Sequence, residues 1–289
     1  MQELYSDLPT TALFHYTSLE GLIGIVDSRT IHATDLHFFN DAAEMNRTAS
    51  LLQTAAMRAA RAEPFTLRLR QQLISWSRNR LTLGHSIFAA CFTANGNLLS
   101  QWRSYCEQAK GVSIGFAPQE LGAKAGAQGF RIGRCIYDAT RQQLLAKKIL
   151  QSVEDLARTM GENTDPAKRA PDNSFYDVFE AIEDDLLRIA ALLKEPAFVE
   201  EQEWRAVSQI VTNYVTAPIS YRVGISMLIP YIRLSLPSYP DRPLDLYQVF
   251  IGPTPNVNNS MVSVTQYHSK AGASPRVGVG YCGIPYRTW

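Results

Sequence analysis

The order of local patterns along this chain is the feature that most limits its fold. Strand-like runs stand at 11–16 (TALFHY), 30–34 (TIHAT), 86–93 (SIFAACFT), 111–117 (GVSIGFA) and 129–137. They return at 203–210, 228–235, 246–251 and 261–267. Two long stretches of helical character, 42–80 and 140–195, interrupt them. Regular β-α-β alternation is missing, so an α+β arrangement is expected rather than a doubly wound sheet. Shorter helices are expected at 98–106 and after Ser18, an N-cap residue followed by Leu19, Leu22, Ile23 and Val26 at helical spacing. Asp41, with Glu44 three residues on, has the capping-box pattern. The stretch ENTDPAKRAPDN at 162–173 reads as a loop broken by Pro166 and Pro171. The turn-rich tail, 278–289, is expected to add an edge strand. No repeat or low-complexity linker divides the chain, so one domain over 1–289 is expected, with helical insertions around 42–80 and 140–195.

Charge and cysteine usage narrow the function classes. Lys plus Arg total 28 against 27 acids, so a globally basic nucleic-acid binder is disfavoured. Locally, Arg47, Arg58, Arg61, Arg68, Arg70, Arg78 and Arg80 face a single acid, Glu63. That stretch is either a solvated face balanced by an acidic partner elsewhere or a docking face for phosphates; separately, the second helical stretch carries an acidic cluster, Asp177, Glu180, Glu183, Asp184 and Asp185. No apolar run reaches the ~18 residues of a membrane span, and the N-terminal segment has no basic leader, so no membrane contact and a cytoplasmic location are expected. Cys91, Cys106, Cys135 and Cys282 show no C-x-x-C pair. Reduced thiols and no metal site are therefore expected, a centre built on His15, His32, His37, Asp35 and Asp41 being the least favoured reading.

The motifs GxGxxG, GxxxxGK[ST], HExxH and GxSxG are all missing, which removes the common hydride-transfer, kinase and hydrolase readings. Three polar groups need an explanation. His15-Tyr16-Thr17 closes a strand. Ser100-Gln101-Trp102-Arg103-Ser104-Tyr105 places an arginine among aromatics, which can stack on a planar ring or clamp a phosphate. Glu200-Glu201-Gln202-Glu203-Trp204-Arg205 opens a strand, and there Glu201 and Glu203, two apart, point to one side if the segment is extended. A set of this kind suits cleavage of the nicotinamide–ribose bond of NAD. That reaction needs a platform for the leaving group, a polar group on the ribose hydroxyls, and a carboxylate where positive charge develops. A second acid can orient or deprotonate an acceptor.

At these residues the chain resembles the domain-of-unknown-function 2971 family. The resemblance is carried by LFHYTSLEGLIGIVDSRTIHATDLHFFNDAAEM, FTANGNLLSQWRSYCEQAKGVSIGF, EEQEWRAV, YQVFIGP and the final IPYR. That family is similar to the ADP-ribosyltransferase fold. The resemblance implies a split, mixed β-sheet core of ADP-ribosyltransferase type, with NAD as substrate in a cleft. It implies His15 on the cofactor's ribose, Tyr16 or Thr17 contacting the carboxamide, and Asn40 and Asp41 bordering the cleft. Trp102, Arg103 and Tyr105 would line the nicotinamide side. Glu203 would be the catalytic glutamate and Glu201 its partner in an E-x-E arrangement. The serine-threonine-serine strand of the arginine-modifying branch is not visible, so the acceptor stays open between nucleic acid and protein. The expected activity is an NAD-dependent ADP-ribosyltransferase, with the role of a toxin or anti-phage effector that has an antitoxin partner. The alternatives are an NAD glycohydrolase on the same fold and a non-catalytic module that binds a nucleotide or nucleic acid through the arginine-rich face.

Overall fold

The computed structural model describes residues 2–39, 43–59, 63–106, 110–165, 167, 169–241 and 243–284. In chain order its elements are β1 (Leu13–Thr17), α1 (Leu19–Ser28), β2 (Thr30–Asp35), α2 (Ala43–Arg58), α3 (Pro64–Leu83), β3 (Phe88–Thr93), α4 (Leu99–Tyr105) and β4 (Val112–Phe116). There follow α5 (Pro118–Gly126), β5 (Arg131–Arg134), α6 (Ala139–Met160), α7 (Tyr176–Ala190), β6 (Glu203–Val207), β7 (Ser220–Val223), β8 (Leu228–Ser235), β9 (Gln248–Ile251), α8 (Val257–Ala271) and β10 (Val279–Tyr281). The expected α+β class holds, with one open, mixed sheet of ten strands. Only β9 and β10 run parallel; the other ladders among the described residues are antiparallel. No helix among the described residues is long and apolar enough to cross a membrane.

The sheet forks at β3. One edge of β3 pairs with β6 from Ala89 to Thr93. At the other edge, Phe88 and Ala89 meet β2, while Thr93 meets Phe14 of β1. Two strands therefore share that edge at opposite ends, and they lead into separate arms. β1 carries β4, β9 and β10, whereas β2 carries β8 and β7. Between the arms the middle of β3 has no ladder partner on that edge among the described residues.

Both faces of the sheet are covered. Leu13, Phe92, Ile114, Phe116, Trp204 and Ala206 pack on one face against Leu22, Ile25 and Val26 of α1, Leu121 of α5 and Val264 of α8. On the other face Ala89 and Val207 pack against Met45 of α2 and Leu187 and Ala190 of α7. A further cluster joins α2, α3, α6 and α7 through Leu52, Leu69, Leu73, Leu150, Phe175 and Phe179. Periodicity explains these helices. In α6, Ala146, Leu150, Val153 and Ala157 recur at three- and four-residue steps. Asp138 caps the same helix, accepting the Arg141 N–H at 2.6 Å, and Ser18 does so for α1, accepting from Gly21 at 3.0 Å.

The expected strand at 261–267 is instead part of α8. MVSVTQY alternates apolar and polar residues, but the buried positions are Val264 and His268, four apart. Gly272, with φ at 67°, then ends the helix in the left-handed conformation that suits glycine. β7 and α5 were not anticipated. β7 is a sheet edge whose side chains are only partly covered, and α5 contains glycines that mask its helical pattern. The capping residue Asp41 lies outside the described residues.

Two glycine substitutions separate close packing from chain entropy. A Cβ on Gly111 would stand 2.3 Å from the Thr17 carbonyl oxygen and 2.7 Å from the Cys106 sulfur. Gly111→Ala is expected to lower stability by about 1–3 kcal/mol, read as a lower urea midpoint. A Cβ on Gly24, inside α1, meets nothing within 4 Å. Gly24→Ala is expected to raise stability by about 0.5–1 kcal/mol in the same titration.

Candidate functional site

The start of β6 gathers the strongest charges of the sheet. Strand alternation sends Glu203, Arg205 and Val207 to one face and Trp204 and Ala206 to the apolar face opposite. Glu203 is only 5% exposed. Its Oε1 accepts from Arg205 Nε at 2.8 Å. Lys194, just beyond α7, bridges Oε2 of Glu203 and Oε2 of Glu201. Arg205 also donates to the Ala191 carbonyl at 2.8 Å, so β6 is tied to the end of α7. The Glu203 N–H donates to the Tyr137 hydroxyl at 3.0 Å. Across the ladder, Cys91 stands opposite Arg205, its thiol on the face of the sheet that carries Glu203 and within its electrostatic reach.

The two carboxyls are driven apart in proton affinity. Burial pushes Glu203 up, but Arg205 and Lys194 more than reverse this and hold it at about 2. Burial raises Glu201 above the usual carboxylate range, against the opposing pull of Lys194. Lys194 stays protonated, because Glu203 and Glu201 outweigh the burial that would lower it. Burial, helped by Glu203, lifts Cys91 well above an ordinary thiol. Glu203 thus stays ionised at neutral pH, while its neighbour takes a proton more readily than an ordinary carboxylate.

α4 stands beside this cluster. Ser100 Oγ donates to Glu200 Oε1 at 3.3 Å. Tyr105 is 44% exposed, and its phenol, raised by burial, feels the charges of Cys91, Glu203, Glu201 and Lys194. Phe39 reaches the other side, its ring 5.1 Å from the Arg205 guanidinium. Asn40 and Asp41, which follow it, lie outside the described residues. Arg103 is exposed on α4.

Several residues expected at a cleft are structural instead. Trp102 is fully buried. Its indole N–H donates to Asn97 Oδ1 at 3.2 Å, and its ring meets Tyr16 edge-on at 4.6 Å. It cannot serve as an open platform for a ligand ring. Tyr16, also buried, donates to the Asn95 carbonyl at 3.0 Å and accepts from the Leu98 N–H at 2.8 Å. The Thr17 carbonyl accepts the Cys106 thiol at 3.3 Å. Tyr16 and Thr17 therefore anchor α4 to β1 rather than presenting free groups.

His15 requires a second correction. Phe14 pairs with Thr93, which pairs with Glu203, so these three share one face and His15 leaves β1 on the other. His15 and Glu203 do not face each other across a single groove. Cys91 lies between them: His15 Nδ1 donates to the Cys91 carbonyl at 2.9 Å, while the Cys91 side chain lies on the face of Glu203, opposite Arg205. That contact lies at the unladdered middle of β3, in the fork. Burial lowers the His15 pKa, opposed by the Cys91 carbonyl, so the ring is neutral with its proton on Nδ1. The second arm brings His32, stacked on Tyr231 at 3.7 Å, within electrostatic reach of His15.

The sequence reading missed Lys194, Arg205 and Cys91. Arg205 was open to inference, since it stands two residues from Glu203 on one strand. Lys194 and Cys91 come from other elements and required the tertiary structure. No group of three or more His, Cys, Asp or Glu among the described residues could hold a metal ion. Most of the described arginines of the arginine-rich stretch pair with acids from elsewhere in the chain; Arg61 lies outside the described residues. Arg68 pairs with Glu162 and Arg70 with Glu154, each at 2.7 Å. Arg47 pairs with Glu195, Arg80 meets Glu183 at 3.5 Å, and Arg78 donates to Gln53 at 3.1 Å.

Against known proteins, a family described as "Protein of unknown function (DUF2971)" matches residues 101–206. The matched span runs from α4 to β6 and contains Tyr105, Lys194, Glu201, Glu203 and Arg205, so the charged cluster lies within the region similar to that family. No curated protein and no solved structure matches the chain.

The ion network has a measurable consequence for stability. Glu203→Gln would leave Lys194 and Arg205 buried with excess positive charge. It is expected to lower stability by about 3–5 kcal/mol, read by chemical denaturation at neutral pH. Because the Glu203 pKa is depressed on folding, its contribution is complete above the ordinary carboxylate pKa of 4.5 and is lost as pH falls toward about 2. The gap between wild type and variant is therefore expected to shrink over that acid range.

Proposed function

We propose that this chain cleaves the nicotinamide–ribose bond of NAD and transfers the ADP-ribosyl group to an acceptor. The observation that carries the reading is the divergence of two neighbouring carboxyls at the start of β6: Glu203 held ionised, and Glu201 raised and partly open to solvent. An ionised carboxylate fixed in a buried frame stabilises the positive charge that develops on a ribose as nicotinamide leaves. A nearby acid of higher proton affinity can take the proton from the attacking nucleophile. Tyr105, exposed beside both, offers an aromatic edge and a hydroxyl for a planar leaving group. His15, acting through Cys91, is a positioning residue in this scheme. The resemblance at residues 13–45, 92–116 and 200–207 to a family similar to ADP-ribosyltransferases supports the same reading.

The ion pairs of Arg47, Arg68, Arg70 and Arg80 favour this enzyme over a module that binds nucleic acid through that face. Transferase and glycohydrolase differ only in the nucleophile. A labelled acceptor marks the first, and free ADP-ribose as sole product marks the second.

The test uses the purified chain with NAD and follows nicotinamide release. Glu201→Gln removes the proton acceptor at a partly exposed position, while Lys194 keeps Glu203 as its buried partner. It is expected to slow turnover by about 10²–10⁴-fold, with a smaller loss of melting temperature than Glu203→Gln shows. Turnover of the wild-type chain is expected to fall on acidification through a pKa above the usual 4.5, because protonated Glu201 cannot accept a proton. An unchanged rate in Glu201→Gln, or no nicotinamide release by the wild type in the presence of nucleic acid and protein acceptors, would refute the proposal.

A further inference from the structure

The helical layer holds a concavity that the candidate site does not use. A cavity of ≈ 390 Å³ opens between α2, α3 and α6, within the size range of small-molecule sites. Its floor is apolar, built by Leu51 and Ala55 from α2 and Leu150 from α6. Arg58, at the helical spacing that follows Leu51 and Ala55, and Lys147, one turn before Leu150, add two cations to its lining.

The charges of this cavity are unbalanced. Arg70 also lines it, but Glu154 neutralises it at 2.7 Å. Arg58 and Lys147 have no anionic partner among the described residues, whereas Arg47, Arg68, Arg70 and Arg80 of α2 and α3 are each paired with a glutamate. Two uncompensated cations lining one recess raise its potential, and a bound anion relieves their mutual repulsion. The floor beneath them rewards burial of an apolar body. Charge alone would suit inorganic phosphate, and an apolar floor alone would suit a neutral hydrocarbon. The combination fits a molecule with both parts.

We propose that the α2–α3–α6 cavity binds a small organic anion with a flat apolar body, its sulfonate, carboxylate or phosphate group held by Arg58 and Lys147. The site is separate from the β6 carboxylates, and the proposal does not depend on the NAD reading.

Anilinonaphthalene sulfonate, an aromatic body with one sulfonate, serves as the probe, titrated into the full-length chain by fluorescence. One saturable site is expected. The double variant Arg58→Gln with Lys147→Gln is expected to weaken it by about tenfold or more. Both side chains are exposed, so circular dichroism and melting temperature should not move. Phenylnaphthylamine, a neutral probe of the same shape, should lose less than about twofold in that variant. The exposed apolar hairpin around Ile225 is the competing location, and Ile225→Ser is expected to leave binding intact. Three results would each overturn the assignment: sulfonate affinity retained in the double variant, binding lost in Ile225→Ser, or inorganic phosphate binding as tightly as the sulfonate probe. Absence of a saturable site in the wild-type chain would do the same.

Discussion

A buried carboxylate bracketed by two cations organises the centre of this molecule. Glu203 lies between Arg205 on its own strand and Lys194 beyond the end of α7. Breaking such a cluster by removing one member is far costlier than its net contribution to stability, because the remaining charges stay in a poorly solvated interior. The helical layer and the sheet are therefore held in register at this point by electrostatics as well as by the packing of Leu187 and Ala190 on Val207. The same contacts set which of the two neighbouring acids binds a proton more readily.

Arginine pairing does comparable work further out. α2 and α3 carry few acids of their own, yet they meet α6 and α7, where Glu154 and Glu183 lie inward. The positive stretch and the acidic stretch are halves of one helical assembly, far apart in sequence and adjacent in space. A basic run that would suggest phosphate binding in isolation is mostly neutralised once the chain folds.

Much of the fold was legible in the chain itself. Positions of most strands, the two helical stretches, the short helix at α4 and the α+β class follow from period and punctuation, because each element carries its own apolar pattern. The failures have local causes. At 261–267 a period-two pattern sits on a helix, since Val264 and His268 rather than alternate residues are buried. β7 lies at an edge, where no core demands an apolar signature. For the site, Glu201, Glu203 and Tyr105 do gather at one place. Trp102 and Tyr16 were misjudged because aromatic residues near polar ones look alike in sequence whether they line a cleft or fill a core. The side that His15 takes relative to Glu203 is not legible in sequence, because the face of β1 relative to β6 depends on the pairing of Phe14 with Thr93, which no local pattern encodes.

The forked sheet carries a mechanical implication. In an ordinary ladder every strand is stitched along its length to two neighbours, and bending is resisted by many parallel bonds. Here two arms hang from opposite ends of one five-rung seam between β3 and β6. Any change of tilt between the arms falls at the midpoint of β3, where the Cys91 carbonyl holds His15 on one side and its thiol faces the buried charges opposite. A single small residue thereby acts as the rivet of a joint, and whatever enlarges or oxidises its sulfur would be felt by both wings at once.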